Sequence, residues 1–261
     1  DKYDINFTGS QINFSTYSQY LSNDAPGWGR SYADFETKII PGNTFDFPYL
    51  HGKSIKAAGY SFVSASNEAI MDKQIDMSKY KYVDLILGEE RETDLPKSTH
   101  VKKFKAFPRK LQREIQRYCK NGGNLFISGA YIGTDLFANK DSIDIAFAED
   151  VLKYKWVTDH AVKTGGFFSV DADFLLSLQS FEFNTKYHPD IYTVEAPDAI
   201  EPADSLAKTI LRYSENQFCA AVAYEGNYRV ITFGFPFETI ITKESRDIIM
   251  RAVLDYFKVS G

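Results

Sequence analysis

Two apolar runs flanking one amphipathic stretch constrain this chain more than any other feature. Val83 to Leu87 (VDLIL) is nearly continuous in apolar character, as a strand buried on both faces must be. Behind Pro108, a good first-turn residue, Leu111, Ile115 and Tyr118 recur at i, i+4 and i+7, and Gly122 supplies the stop, so a helix is predicted there. Asn124 to Gly129 (NLFISG) reads as the next strand. Upstream, Gly59 to Val63 predicts an earlier strand, and Ser66, Asn67 and Glu68 open a short helix. Strand and helix alternating in this way write a parallel sheet with crossover helices, and residues 58–140 form its βαβ core.

The rest of the chain reads differently. Phe167 to Val170, Phe181 to Phe183, Phe218 to Tyr224 and Tyr228 to Phe235 are strand-like runs joined by turns. Gly226 and Asn227 between the last two predict a hairpin with positive φ in a tight turn. From Lys243 to Phe257 a helix is predicted, capped by Thr242, with Ile248, Ile249, Ala252, Val253 and Tyr256 as its apolar stripe. Residues 141–261 therefore read as mixed strands and a C-terminal helix. Residues 1–57 are irregular, with turn formers and aromatics interleaved at Asp24 to Gly29 and Pro41 to Tyr49, as in ordered loops laid over a surface. No internal repeat or flexible linker divides the 261 residues, so one α/β domain with elaborations is expected. The chain does not begin with Met and carries no signal-like segment, which suggests a processed or excised piece of a longer polypeptide.

In a doubly wound sheet, ligands bind beyond the carboxyl ends of the strands. Three segments qualify: Ser64 to Glu68, Gly88 to Glu90, and Ser128 to Asp135. Asn67, Glu68, Glu90 and Asp135, with Glu238, are candidate substrate-binding residues, although ordinary cap and loop roles explain them equally well. Gly129-x-Tyr131-x-Gly133 copies the glycines of a nucleophile elbow but puts Tyr where Ser or Cys would stand. Ser128 would need a base, with His51 or His188 the best of the four histidines. Glu89 beside Glu90 offers a carboxylate for glycoside chemistry, which requires an acid and a second carboxylate across the bond. Adjacent residues point apart, so only one of them would face a pocket.

Charge and cysteine content exclude more than they suggest. A formal net charge of −5 argues against nucleic acid as the main partner, and no apolar run is long enough to span a membrane. Between Lys97 and Lys120, nine Lys or Arg face one acidic residue, Glu114, a local +8 that suits an anionic polymer or a solvated helix face. Residues 187–204 carry Asp190, Glu195, Asp198, Glu201 and Asp204 with no Lys or Arg, but lack EF-hand spacing, so no metal is expected. Cys119 and Cys219 fit no metal or redox motif, and a disulfide between them stays open.

Several stretches resemble a secreted bacterial group labelled xanthan lyase or golvesin-domain-associated. They are Gly27-Trp28-Gly29, Gly42 to Lys53 (GNTFDFPYLHGK), Ala58 to Phe62, Ser66 to Ala69, Asp84 to Glu90 (DLILGEE), Ile127 to Gly133, Tyr187 to Asp190, and Gly234 to Ile240. The resemblance implies a class I glutamine amidotransferase-like domain: a flavodoxin-like three-layer sandwich, its sheet mostly parallel with an antiparallel extension in the C-terminal half. It also implies neighbouring β-sandwich domains in a longer chain and a secreted, periplasmic or surface location. The elbow reads Gly129-Ala130-Tyr131, without the Cys of that superfamily, so amidotransferase chemistry does not carry over. The likeness begins partway into the domain, as though an upstream strand were missing.

Three functions follow as expectations. The first is an accessory or binding module that meets a polysaccharide, with no cofactor. The second is a hydrolase or lyase using Glu89 as acid or base and Tyr131 at the leaving oxygen. The third is a protein-interaction scaffold.

Overall fold

The computed structural model describes residues 47–94, 102–103, 105–176, 178–186, 188 and 191–258. Residues 1–46, the start of the basic stretch at Lys97, and Tyr187, Pro189 and Asp190 lie outside them. The first element, α1 (Phe47–Ala57), corrects the expectation of irregular chain to residue 57. Pro48 stands in its first turn, where a missing N–H costs nothing. Leu50, His51 and Ser54 turn inward, while Lys53 Nζ lies 4.3 Å from the Tyr49 ring centroid one turn back.

Residues 60–66 follow without regular secondary structure, against the strand expected over Gly59 to Val63. Phe62 and Val63 are 48% and 66% exposed, and the Phe62 ring lies over Gly52, where a Cβ would come within 2.2 Å of it. The short α2 (Asn67–Met71) is capped by Ser66, whose Oγ accepts from Ala69 N–H at 3.2 Å. β1 (Tyr82–Gly88) comes next, then the two-residue strands β2 (Thr93–Asp94) and β3 (Lys102–Lys103), which pair with each other. α3 (Arg109–Lys120) buries Leu111, Ile115 and Tyr118, and ends before Gly122 at φ +82°. β4 (Asn124–Gly129), α4 (Thr134–Phe137) and α5 (Ser142–Ala146) complete this half.

The second half contributes β5 (Tyr154–Thr158), β6 (Gly166–Ser169), β7 (Ser180–Glu182), β8 (Ala199–Pro202), β9 (Ala207–Tyr213), β10 (Cys219–Glu225), β11 (Arg229–Phe233) and α6 (Lys243–Lys258). Thr242 caps α6 by accepting from Ser245 N–H at 3.1 Å. Of the expected apolar stripe only Ile248 faces out, at 40% exposure. β10 and β11 form the expected hairpin, with Glu225 opposite Arg229. The three residues between them let the chain turn without a left-handed Gly226 or Asn227, so the positive φ expected there is not used.

The main sheet has seven strands in the order β1-β4-β11-β10-β9-β6-β7. β1 pairs parallel with β4, and β4 with β11; the β11/β10, β10/β9, β9/β6 and β6/β7 pairs are antiparallel. The sheet is therefore mixed and mostly antiparallel, correcting the expectation of a mostly parallel one. A parallel neighbour needs a long crossover, whereas the strands after β4 are joined mostly by short connections that reverse the chain locally.

Neighbouring residues of β4 divide two cores, as strand alternation requires. Phe126 packs with Phe233, Phe237 and the Ile249 and Val253 face of α6. Leu125 and Ile127 pack with Leu111 and Ile115 of α3 and with Tyr154. Cys119 and Cys219 are free and buried on α3 and β10, so no disulfide joins them, and burial raises their thiols to about 12 and about 11. Among the described residues no helix is long and apolar enough to cross a membrane.

Candidate functional site

The carboxyl ends of β1 and β4 meet at a tight junction. Ala130 N–H donates to Gly88 O at 2.8 Å, and a Cβ on Gly129 would lie 2.9 Å from Leu87 Cβ, so glycine lets the two strand ends close on each other. Beyond it the candidate residues go to different places. Glu89 is buried, at 4% exposure, and its Oε1 accepts from Glu195 N–H at 3.1 Å. Tyr131 is buried with the Arg91 guanidinium 5.0 Å from its ring centroid. Ser128 is fully buried and its Oγ has no hydrogen-bond partner among the described residues, so no base is hydrogen-bonded to it.

His51 is the centre of a buried charge network instead. Its Nδ1 lies 2.8 Å from Asp84 Oδ2 on β1, and its Nε2 lies 3.1 Å from Glu238 Oε2 in the turn Phe237–Thr239. The other Glu238 oxygen accepts from Tyr192 Oη at 2.7 Å. Both ring nitrogens face carboxylate oxygens and donate to both only in the charged form. Burial lowers the pKa of His51, but Asp84 and Glu238 outweigh it and carry the ring to about 9. With both nitrogens engaged, His51 serves neither Ser128 nor Tyr131. Glu238 is fully buried, so it belongs to this network and is not a surface group waiting for substrate.

Asp135, expected at the rim, also turns inward. Its two oxygens accept from Ala106 and Phe107 N–H at 3.1 Å each, and Lys105 Nζ lies 3.6 Å away. Its pKa is raised, with burial outweighing those partners. Asn67, Glu68 and Glu90 line a cavity beside β1 together with His51, apart from Glu89, Ser128 and Tyr131. His188 is half-buried on the connection between β7 and β8.

Sequence reasoning missed Asp198. From the acidic stretch it reaches the turn after β4, where Gly133 N–H, Thr134 N–H and Thr134 Oγ1 donate to it at 2.7, 2.8 and 2.7 Å, and Trp156 Nε1 at 3.3 Å. Burial pushes this carboxyl up to about 7 against the pull of those donors. A helix N-terminus after a strand is the usual cradle for an anionic ligand, and here the chain fills it with its own carboxylate. Part of the signal is in the sequence: Asp198 lies beside Pro197 in a stretch without Lys or Arg, and Gly133 and Thr134 belong to the segment Ser128 to Asp135 beyond a strand end.

Four residues of the basic stretch are likewise matched within the protein. Arg109 pairs with Asp141 at 2.6 Å and Asp144 at 2.9 Å, Lys105 with Asp144 at 3.0 Å, Arg117 with Glu114 at 2.6 Å, and Lys110 with Asp72 at 3.5 Å. Among the described residues no cluster of three or more His, Cys, Asp or Glu is arranged to hold a metal ion.

No family model matches the chain, and sequence comparison with curated proteins gives no match. Solved structures do share its shape. The mmIFT52 N-terminal domain is similar at 12% identity and a TM-score of 0.53, over 87% of this chain and 96% of that one. The exo-beta-1,4-mannosidase Op5Man5 from Opitutaceae bacterium strain TAV5 is similar at 11% identity and a TM-score of 0.49, over 84% of this chain; the chain spans about a third of that enzyme, 32%. A putative thua-like protein from Bacteroides uniformis ATCC 8492 is similar at 11% identity and a TM-score of 0.47, over 79% of this chain and 82% of that one. At 12% identity the likeness to the mmIFT52 domain speaks of fold alone.

Proposed function

We propose that this mixed α/β domain is a non-catalytic binding module of a glycan-associated protein. The observation that carries the non-catalytic part is the internal filling of the strand-end site. Asp198 takes the donors of the turn after β4, Glu89 takes Glu195 N–H, and Glu238 is held between His51 and Tyr192. A general acid or nucleophile must reach substrate, and these groups reach each other instead. The glycan association and a secreted location rest on the resemblance to the xanthan lyase-labelled group. The same resemblance supports a flavodoxin-like reading of the fold, in which a further parallel strand would lie beside β1.

The test is affinity-gel retardation and product analysis on a panel of neutral and acidic polysaccharides. Retardation by one of them without release of fragments is expected, and Glu89→Gln should leave it unchanged within about twofold. Fragment release abolished by Glu89→Gln overturns the non-catalytic reading; no retardation by any glycan overturns the glycan reading.

A further inference from the structure

Three buried carboxylates of this protein are matched by cations. Glu238 has His51 at 3.1 Å, Asp135 has Lys105 at 3.6 Å, and Asp144 has Lys105 and Arg109 at 3.0 and 2.9 Å. Asp198 differs. It is fully buried at the head of β8 and in no ion pair among the described residues, and its side chain is surrounded by four neutral donors. Nor is this carboxyl able to swing out to water. Its own N–H donates to Gly234 O at 2.8 Å, and its C=O accepts from Tyr213 Oη at 2.8 Å. A Cβ on Gly234 would lie 2.1 Å from that carbonyl oxygen, so the backbone is clamped from both sides. A charge here is either held in place or neutralised in place.

The four donors are not equivalent. Oδ2 accepts from the backbone N–H groups of Gly133 and Thr134, while Oδ1 accepts from the Thr134 hydroxyl and from Trp156 Nε1–H. A hydroxyl donates or accepts, whereas backbone and indole N–H groups only donate. A proton therefore enters on Oδ1. Oδ2 keeps its two backbone donors as a carbonyl oxygen, and the Thr134 hydroxyl turns to accept from the new O–H. Trp156 Nε1–H, at 3.3 Å the longest contact of the four, is left facing a poor acceptor. We propose that Asp198 is a proton-operated latch that holds Trp156 of β5 in its ionised state and releases it on protonation. Trp156 is half-buried, stacks on Phe137 of α4 at 6.4 Å between centroids, and lies opposite Ile200 of β8, so its bond ties the β5–β8 ribbon to the turn after β4. The titratable groups facing Asp198 are Tyr154 of β5, whose hydroxyl donates to Ile132 O, and Tyr213 of β9. Burial and the Asp198 charge hold both phenols well above 10, so neither adds a charge below that pH. The turn after β4 and the residue after β11 face it with Gly133, Thr134 and Gly234, which do not titrate. Burial, which pushes Asp198 up to about 7, puts the exchange of states near neutral pH. This inference is independent of the glycan reading.

The experiment follows two nuclei of the full chain by NMR from pH 5 to pH 9: the Trp156 indole N–H, assigned by its loss in Trp156→Phe, and the Asp198 side-chain carboxyl carbon. Both should titrate with one shared midpoint. Indole hydrogen exchange, corrected for its intrinsic pH dependence, should be about fivefold faster in the protonated state, the worth of one neutral hydrogen bond. Asp198→Asn keeps a carbonyl for the backbone donors and sets an NH₂ group where the proton would sit, so it should hold the indole at its low-pH position throughout. His160→Gln is the control, since His160 is exposed two residues past β5, and it should leave the midpoint unmoved. The proposal is overturned if the carboxyl carbon shows a single protonation state across the range, or if the indole does not titrate or does so at a different midpoint. It is also overturned if the indole titration survives Asp198→Asn or is abolished by His160→Gln. Should Asp198→Asn not fold, the two midpoints in the wild type decide.

Discussion

The two ends of the main sheet are built to different standards. Around β6, β7 and β9, Phe167, Phe183, Tyr213 and Phe235 are fully buried, and the Phe183 and Phe235 rings stack at 4.8 Å between centroids. At the β1 end, Phe62 and Val63 are open beside an 850 Å³ cavity. Distance along the chain does not explain the difference: β6 reaches β9 across 37 residues, about as far as the 35 that separate β1 from β4. What differs is pairing, since β6 and β9 each have a neighbour on both sides, whereas β1 has one on a single side among the described residues. Strands paired on both sides close their core with aromatic rings, and the strand paired on one borders a cavity.

The largest break in this comparison should come from Phe235→Ala. It removes a ring that also lies 4.6 Å from Phe167 and 5.3 Å from Phe233, with no solvent-side room to relax. A loss of about 3–5 kcal/mol is expected by denaturant titration. A loss under 1 kcal/mol would show that this end is no better packed than the other.

His51→Ala tests the link between α1, β1 and the Phe237–Thr239 turn. Removing the cation leaves Glu238, fully buried, and Asp84 facing each other, and breaking such a group costs about 3–5 kcal/mol. The pH dependence has a definite sign. The folded pKa of about 9 lies above the ordinary 6.5, so the folded state binds the proton more tightly. The stabilisation is complete below pH 6.5 and decays as pH rises through about 9. The Tm difference between wild type and His51→Ala should therefore narrow from pH 6 to pH 10. A difference that grows with pH would place a neutral imidazole in the network.

What the sequence shows of this architecture follows the range of the interactions. The α3 and α6 helices and the β10–β11 hairpin are set by spacing and caps within a few residues, and they form where their patterns place them. β1 and β4 were legible as doubly buried strands because that demand is written as continuous apolar runs. Direction in the sheet was not legible beyond β4, since parallel and antiparallel partners of β9 ask for the same residues. The site was legible as positions but not as chemistry. Glu89, Tyr131, Asp135 and Glu238 each follow a strand end in the chain, yet they go to separate partners: Glu195 N–H, Arg91, Ala106 and Phe107 N–H, and His51. Only the folded chain shows that a candidate carboxylate is already satisfied, and a distant residue such as Asp198 leaves no local signature at the turn it fills.

The smallest effect discriminates most sharply between the two ends. Phe62→Ala trims a ring that is 48% exposed and rests on Gly52, so its loss should cost less than about 1 kcal/mol, well below the cost at Phe235. If instead Phe62→Ala costs over 2 kcal/mol in the free protein, the β1 side is already packed in solution. The contrast between the two ends would then not extend to how tightly they pack.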